Sequence, residues 1–484
     1  MHRGYKWSTH QAPRHPASIG NRTRMVPLMP DRTAGLRAAV KHAEAFLATL
    51  DERPVAARAD AAAVRSSLGG PLPERAEDPA AVIDALAAGA EPGLVATAGP
   101  RHFGFVIGGT LPAALAADWL VSAWDQNAAF HALSPAAAAI EEITSAWTLE
   151  LLGLPDTASV GFVTGGQAAN TTCLAAARYA VLSRERWNVE RDGLIGAPAV
   201  RVVCGEQAHA TIYASLRLLG LGAERAIRIP ADDQGRMDPD ALAKTLAAND
   251  GPTIVCAQAG NVATGSFDAF GPIADACAQR GAWLHVDGAF GLWAAAAPAT
   301  RHLTTGVERA DSWAVDAHKW LNVPHDGAMA IVADPDAHLA AMSLAGPYLV
   351  ADPGQRDNTN YVPESSRRAR AVPLYAAIRS LGRAGIAEMI ERNCAQARRM
   401  ALQLADIPGA DVLNDVVLNQ VLVRLPGEDD ATRAAVAAIQ SDGTCWLGGT
   451  IWNGEYVMRV SISNWATTNE DVDRSAAAIA AAVS

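Results

Sequence analysis

The middle of the chain alternates short apolar runs with longer stretches of helical periodicity. Runs rich in β-branched residues predict buried strands, and the segments between them, such as residues 167–184 and 209–219, predict helices. Apolar strands separated by helices indicate a mostly parallel sheet that is covered on both faces, an α/β fold. Seven such runs lie within a large domain predicted for residues 100–345, at 159–163, 200–204, 226–229, 253–257, 282–286, 312–315 and 328–332.

The N-terminal part of the chain is helical in pattern but small. Residues 33–50, 60–68 and 78–88 predict three helices in an arm over residues 29–99 that cannot bury a core of its own. Residues 1–28 contain no apolar segment typical of a secretion signal, and we expect them to form a disordered leader.

Proline, glycine and polar residues interrupt the alternating pattern between residues 346 and 372. An irregular segment of this length inside a compact protein is usually functional, so we expect a mobile loop beside the active site. The segment is followed by a small α+β domain predicted for residues 373–484. Its elements are a long helix over 374–404, strands near 416–423 and 456–463, and a helix from residue 470.

Composition and charge exclude several classes of protein. The 484 residues are 50% hydrophobic and 19% charged, which is typical of a globular chain. Forty Lys and Arg against 51 Asp and Glu give a net charge of −11, which disfavours binding to nucleic acid or an anionic membrane. Six cysteines without CxxC or ligand spacing predict no bound metal, no disulfide framework and a cytoplasmic location. A soluble enzyme or a small-molecule binder is therefore favoured.

A carboxylate and an amine follow two of the predicted strands. Asp287 ends the run that begins at residue 282, and Lys319 lies just beyond the run that begins at residue 312. The carboxyl ends of parallel strands meet at one edge of a sheet, so these two side chains are expected to share a site. Pyridoxal phosphate requires such a pair, a lysine for its Schiff base and an acid at its pyridine nitrogen. Either residue alone would more often be structural.

Two segments around these residues resemble motifs of a known family. HVDGAFG at residues 285–291 and DAHKW at residues 316–320 are similar to motifs of the group II pyridoxal-phosphate decarboxylases. This fold-type I family includes aromatic amino acid and glutamate decarboxylases, and the resemblance covers about residues 80–480. It implies a pyridoxal phosphate cofactor bound by the large domain and a homodimer with shared active sites. The implied reaction converts an L-amino acid to its amine and CO2.

The resemblance also assigns roles to individual residues. It implies that Lys319 carries the cofactor, that Asp287 pairs with the pyridine nitrogen, and that His209 stacks on the ring and acts in catalysis. The alternative for His209 is a purely structural role, in which it forms a local hydrogen bond at the start of a helix. The remaining expected cofactor contacts are His318, Asp316 and Gln258, the last standing where the family has a threonine.

A glycine turn gives independent support for a phosphate site. The strand 159–163 is followed by Thr164, Gly165, Gly166 and Gln167 and then by a helix. Backbone N–H groups at a helix start attract anions, although turns of this kind are also common in a purely structural role. In the family this turn holds the cofactor phosphate, and Gln167 stands where serine is more frequent.

Further segments match those that line the substrate pocket of the family, partly from the neighbouring subunit. They contain Phe105, Val106, Ile107 and Phe130, whose apolar character favours an aromatic or apolar substrate side chain. The same residues could instead belong to the core. Arg459 lies on an otherwise apolar strand and needs an anion, either the substrate carboxylate or a structural acid.

The residue that protonates the reacting carbon is the least certain part of the resemblance. The family uses a loop tyrosine, and counting back from Pro363 puts its position at Asp357, with Tyr348 and Tyr361 nearby. This departure keeps a carbon–carbon lyase or an aminotransferase on the same fold as an alternative. A non-catalytic regulator is disfavoured because no DNA-reading segment or basic patch is evident in the sequence.

Overall fold

The computed structural model describes residues 31–248, 250–344 and 354–483, which form two units. The first unit contains α1 (Ala34–Leu47), α2 (Ala61–Leu68) and α3 (Pro79–Ala90). Asp60 and Asp78 begin α2 and α3 by accepting hydrogen bonds from backbone N–H groups three residues on, and α3 packs against both other helices. The three expected helices are thus present. The expected leader lies outside the described residues.

The second unit contains the predicted seven-stranded sheet. Its order is β1-β7-β6-β5-β4-β2-β3, with β7 antiparallel to β1 and β6 and all other pairs parallel. The mostly parallel α/β fold is therefore confirmed, and every strand lies within one residue of its predicted bounds. The strands are β1 (Ser159–Val163), β2 (Arg201–Gly205), β3 (Ile227–Ile229), β4 (Thr253–Gln258), β5 (Trp283–Asp287), β6 (Ser312–Asp316) and β7 (Ala328–Val332).

Helices cover both faces of this sheet because successive strand residues point to opposite sides. Phe162 and Trp313 belong to one buried apolar cluster, while their neighbours Val163 and Ala314 belong to another. The helices of this part are α4 (Pro112–Trp124), α5 (Pro135–Leu152), α6 (Gly166–Arg184), α7 (Val189–Asp192), α8 (Ala210–Leu218), α9 (Pro239–Ala247), α10 (Phe270–Arg280) and α11 (Pro335–Met342). None of the helices in the described ranges is both long and apolar enough to cross a membrane.

The C-terminal part forms a second, antiparallel sheet with the order β10-β11-β9-β8. Its elements are α12 (Ala371–Ala405), β8 (Asp411–Val412), β9 (Gln420–Arg424), α13 (Asp429–Asp442), β10 (Gly448–Trp452), β11 (Glu455–Ser461) and α14 (Asn469–Val483). The sequence predicted two of these strands and missed β8 and β10. Strand β10 begins with two glycines and buries only Trp452, so it lacks an apolar pattern. Gly382, with φ of 61°, interrupts the predicted long helix.

Residues 354–370 pack against the large sheet through buried arginines. Arg356 donates to the carbonyl of Val160 at 2.6 Å, and Arg367 donates to both carboxylate oxygens of Glu141 at 2.5 and 2.7 Å. Burial raises the pKa of the Glu141 carboxyl, while the Arg367 guanidinium acts in the opposite direction. The predicted mobile loop over 346–372 is therefore anchored in this half. Residues 345–353 lie outside the described part.

Two adjacent arginines are expected to contribute very differently to the stability of the protein, because Arg367 forms a buried ion pair with Glu141 and Arg368 is exposed. Arg367→Ala would leave the Glu141 carboxylate buried and unpaired, because the two side chains are 0% and 4% exposed. We expect it to lower the free energy of unfolding by about 3 kcal/mol. Arg368→Ala is the control, because Arg368 is 38% exposed and its pair with Asp118 is worth at most about 1 kcal/mol. Urea denaturation checks both variants, and equal shifts would contradict the prediction.

Candidate active site

Strands β5 and β6 bring the predicted carboxylate and amine to one edge of the sheet. Asp287 is the last residue of β5, and Asp316 is the last residue of its parallel neighbour β6. Lys319 follows in the loop, and its Nζ lies 3.0 Å from Oδ2 of Asp316. The backbone N–H of Asp316 also donates to the carbonyl of Ala289 at 2.8 Å, which joins the two strand ends beyond the sheet.

A chain of hydrogen bonds fixes the Asp287 carboxylate. Its Oδ2 accepts from Nδ2 of Asn170 at 3.1 Å, and its Oδ1 accepts from the N–H of Ala289 at 3.2 Å. The Asn170 carbonyl in turn lies 2.9 Å from Nε2 of His285. An amide oxygen only accepts, so this ring nitrogen carries a proton. Burial lowers the pKa of His285 to about 4, so the ring is neutral and its Nδ1 accepts from Ser312 at 3.0 Å.

Asn170 and His285 were not among the predicted site residues. A signal for His285 was present, because it stands two residues before Asp287 on the same strand and therefore on the same face. Asn170 carried no comparable signal, since it is one polar residue in the first turns of α6. Its position depends on α6 packing across β5 and β6.

His209 is connected to the same network. It begins α8, and its Nδ1 accepts from the hydroxyl of Thr211 at 2.8 Å, whose oxygen accepts from Asn170 at 3.1 Å. Burial lowers the pKa of His209, while Asp287 and Asp316 act to raise it and Lys319 and Arg459 to lower it. The ring is therefore neutral. His209 also accepts a hydrogen bond from the backbone N–H of Thr211 at the start of α8. The local structural role that was the alternative for this residue is therefore present as well.

The glycine turn lies directly beside Asp316. No side chain among the described residues caps the first N–H groups of α6, which begins at Gly166. A Cβ on Gly166 would lie 2.8 Å from Oδ2 of Asp316, and one on Gly165 would lie 3.5 Å from Cε1 of His318. A side chain at position 166 would therefore collide with Asp316, whereas the approach at position 165 is an ordinary van der Waals contact. Thr164 is half-buried and Gln167 is exposed at the start of the helix.

The Asp316 carboxylate has an unsatisfied oxygen. Its Oδ1 is buried and, within the described part of the chain, accepts no hydrogen bond. It lies 3.7 Å from Nδ1 of His318, which donates instead to the carbonyl of Gly327 at 3.0 Å. A buried acceptor without a donor is uncommon in a native site, and it marks a place where a bound group can add a contact.

Gln258 lies at the end of the neighbouring strand β4, beside Asp287. It is the last residue of β4, pairs in register with Asp287, and donates its backbone N–H to Asp268 at 2.8 Å. Burial raises the pKa of Asp268 to about 6. A small cleft is lined by Gly205, Ala208, His209, Ile212, Cys256, Ala257, Gln258, Asp268 and Asp287.

The residues predicted to line the substrate pocket separate into three groups. Phe105 is 65% exposed and stacks on Trp446 at a centroid distance of 5.5 Å. Val106 is 1% exposed and belongs to the core, so its predicted lining role needs correction. Both residues have φ of 55°, and this local turn directs Phe105 outward and Val106 inward. Ile107 is half-buried. Phe130 is half-buried beside the loop segment, since Thr359 donates to the adjacent carbonyl of Ala129 at 2.9 Å.

Arg459 shares a second cleft with Phe105. This cleft is lined by Phe105, Arg433, Val436, Ala437, Gln440, Trp446, Gly448, Gly449, Tyr456 and Arg459. The Arg459 guanidinium donates to the carbonyl of Val262 at 3.1 Å, and burial lowers its pKa. Across the described ranges no carboxylate forms an ion pair with it. The structural-acid alternative for Arg459 is therefore not met by any described residue.

The two candidate tyrosines have different outcomes. Tyr361 packs under the Arg356 guanidinium at 3.5 Å and edge-on to His338 at 5.2 Å. His338 contacts Ser159, the first residue of β1, at 2.7 Å, whereas the glycine turn follows the last residue of β1. The Tyr361 ring therefore lies beside the first residues of β1, while the Tyr361 carbonyl lies against Gly161 in the middle of that strand. Tyr348 lies outside the described residues, and Asp357 accepts from the N–H of His131 at 3.0 Å.

Residues 64–425 match the family model described as the pyridoxal-dependent decarboxylase conserved domain. The chain belongs to the pyridoxal-dependent decarboxylase family. It is 26% identical over 440 residues to an aromatic-L-amino-acid decarboxylase of Bacillus atrophaeus, covering 87% of this chain and 89% of the relative. It is 31% identical over 377 residues to an L-2,4-diaminobutyrate decarboxylase of Rhizobium meliloti (strain 1021), covering 75% of this chain and 73% of the relative.

A solved structure shows the same fold as this pyridoxal-dependent decarboxylase. The crystal structure of Oryza sativa TDC with PLP and tryptamine superposes with a TM-score of 0.87 at 24% identity, covering 95% of this chain and 99% of the other. The resemblance to group II pyridoxal-phosphate decarboxylases is therefore confirmed, as are the enzyme class and the cofactor.

The residues of the site fit pyridoxal phosphate. The open helix start at Gly166 suits a phosphate, and the buried Asp287 carboxylate suits a cationic pyridine nitrogen. Lys319, on the same rim, supplies the amine, and it is one of only four lysines in the chain, with Lys6, Lys41 and Lys244. Asp316 is the one feature that a phosphate would not favour, because it places a carboxylate beside the turn.

Proposed function

We propose that this pyridoxal-phosphate amino acid decarboxylase acts on an L-amino acid with an aromatic or other apolar side chain and releases its amine and CO2. The observation that carries the choice of substrate is the second cleft, where the stacked rings of Phe105 and Trp446 stand beside the partly buried Arg459. A ring platform and an unpaired cation suit the two ends of such an amino acid. No observation favours the lyase or the aminotransferase.

The polar groups of the site are assigned different roles according to their positions. When bound, the cofactor accepts electrons from the α-carbon of the amino acid, which makes loss of the carboxylate possible. We assign the Asp287 carboxylate to hold a proton on the pyridine nitrogen, supported by its fixed, buried position. Lys319 would hold the cofactor through its Nζ and would give it up to the amine of the substrate. His209, with a neutral ring in the same cleft as Asp287, is assigned to stack on the cofactor.

We assign the phosphate to the turn formed by Thr164, Gly165, Gly166 and Gln167, with His318 and Asp316 beside it. The support is the open helix start and the close approach of both side chains to the glycines. Gln258, at the end of β4 and next to Asp287, is assigned to the edge of the ring. This amide replaces the hydroxyl expected from the family.

Tyr348 is the proposed proton donor to the reacting carbon. The support is indirect, since the Tyr361 ring is already packed between Arg356 and His338 beside the start of β1. Ile107 and Phe130 are assigned to the substrate side, where Phe130 would act together with the loop that contains Asp357.

We also propose a homodimer located in the cytoplasm. Two exposed apolar side chains on α4, Trp119 and Trp124, support a surface that a second copy covers. All six cysteines are buried and free, which supports a reducing compartment.

A product assay tests the proposed reaction. The protein reconstituted with pyridoxal phosphate is incubated with single L-amino acids, with Lys319→Ala as the blank, and products are identified by mass spectrometry. We expect the amine of an aromatic amino acid, formed at least tenfold faster than that of an acidic or basic one. This ratio corresponds to about 1.4 kcal/mol of discrimination. An amine from a charged amino acid would overturn the substrate class. An aldehyde with glycine, or pyridoxamine phosphate without amine, would overturn the reaction.

Arg459 generates a second prediction. Arg459→Gln is expected to raise KM roughly tenfold or more, because a hydrogen bond between charged groups is lost from the bound substrate. Arg424→Gln on the adjacent strand β9 is the matched control, since Arg424 is exposed and paired with Glu455 at 2.9 Å. Steady-state kinetics and melting temperatures are measured for both. An unchanged KM with a lowered melting temperature would show that Arg459 is structural.

A further inference from the structure

His325 lies beside His318 in the loop after Lys319 and has no role assigned in the proposed reaction. Its ring stacks on His318 at a centroid distance of 4.4 Å, with the ring planes tilted by 33°. His318 in turn lies against the turn, with Cε1 3.5 Å from the position of a Cβ on Gly165. The two imidazoles thus form a pair that extends from the turn into the loop after Lys319.

The hydrogen bonds of His318 determine which nitrogen is available. Its Nδ1 lies 3.0 Å from the carbonyl of Gly327, and a carbonyl only accepts, so Nδ1 carries a proton. In the neutral ring Nε2 then has no proton and repels an anion. Protonation of the ring turns Nε2 into a donor and adds a positive charge beside the turn.

The charges around His318 and His325 favour protonation of this pair when a phosphate is bound. Asp316 approaches both the turn and the pair, with Oδ2 2.8 Å from the Cβ position of Gly166 and Oδ1 3.7 Å from Nδ1 of His318. Lys319 is the cation in direct contact with Asp316, and its amine is committed to the cofactor aldehyde. A phosphate bound at the turn would therefore lie beside the Asp316 carboxylate, and among the described residues no second cation is there to offset the negative charge of that carboxylate.

The groups that face His325 come from its own loop and from the start of α12. Burial lowers the pKa of His325; His318 and Lys319 act in the same direction, and Asp316 and Asp326 act to raise it. Asp326 is itself paired with Arg370 at 2.9 Å. His325 is therefore neutral near pH 7 in the free protein, and a nearby anion would shift the balance toward the protonated form.

We propose that the His318–His325 pair takes up one proton from solvent when the phosphate of the cofactor binds at the turn, so that the pair offsets the charge of Asp316. His325 is a positioning residue in this unit, since it acts through the ring that it stacks on. The inference rests on the cofactor and the turn, and it is independent of which amino acid is decarboxylated.

The proposal predicts a specific pH dependence of cofactor binding. The protonated pair holds the phosphate, so affinity is highest at low pH and is lost as pH rises through the titration of the pair in the complex. Binding linked to one proton changes about tenfold per pH unit. Phosphate esters lose their second proton near pH ~6, so measurements above pH 7 report on the protein.

The test compares pyridoxal 5′-phosphate with pyridoxal, which lacks the phosphate. Dissociation constants for both are measured by equilibrium dialysis between pH 7 and pH 9, and their ratio cancels the titration of Lys319 and of the Schiff base. For the wild type we expect the preference for the phosphate form to fall at least tenfold over this range. A preference that stays constant would overturn the proposal.

Two variants separate the ring stack from the proton. His325→Phe keeps an aromatic ring on His318 but removes both nitrogens, and His325→Gln keeps a neutral donor if the phenylalanine variant does not fold. For either variant we expect a preference at pH 7 that is roughly tenfold weaker and that falls less steeply with pH than in the wild type, because only His318 is left to take up the proton. His302→Asn, an exposed histidine elsewhere, is the control and should behave like the wild type.

The outcomes distinguish this inference from the proposed function. Wild-type pH dependence in a folded His325 variant would overturn the role of the pair while leaving the decarboxylase intact. If neither ligand forms a Schiff base with the wild type, the cofactor assignment itself fails, and the pair has no phosphate to offset.

Discussion

The parallel pairing of β4, β5 and β6 places Gln258, Asp287 and Asp316 at one edge of the sheet, and the rest of the site depends on that register. A slip of one residue would turn Asp287 toward the opposite face, away from Asn170. Apolar neighbours such as Val286 and Val315, both fully buried, fix the register because they have no other place to pack. The core that stabilises the fold is thus also what aligns the polar strand ends.

Burying these polar groups is costly, and the network of hydrogen bonds offsets the cost. Each donor or acceptor left without a partner in the interior would cost about 1–3 kcal/mol. The Asn170 amide satisfies Asp287, Thr211 and His285 at once, at 3.1, 3.1 and 2.9 Å. Against this background the unsatisfied Oδ1 of Asp316 is an exception, and it occurs at the place where the cofactor phosphate is expected.

Much of this arrangement follows from local sequence. Continuous apolar runs predicted all seven strands of the large sheet, and strand ends carrying Asp287 and Lys319 indicated the chemistry before any contact was known. Local pattern failed where packing decides the outcome. Val106 and Phe105 are both apolar, and only the backbone turn at their positive φ separates a core residue from an exposed one.

The polar partners were harder to predict for the same physical reason. Asn170 and His325 become neighbours of the site through helix and loop packing between distant segments, and neither stands in an apolar or charged pattern. Tyr361 stays a candidate by spacing, and its packing against Arg356 and His338 is a further contact between distant segments that no local pattern indicated. Strand β10 was missed because its two glycines give no strand signal.

The central claim is that Lys319 is the residue that binds the cofactor. The attachment of the cofactor to Lys319 can be measured directly. The protein loaded with pyridoxal phosphate is reduced with borohydride, digested and mapped by mass spectrometry. Only four lysines compete for the label, namely Lys6, Lys41, Lys244 and Lys319. The account predicts a single stoichiometric pyridoxyl group on the peptide that contains Lys319. Stoichiometric label on Lys244, or equal labelling of a Lys319→Ala protein, would contradict it.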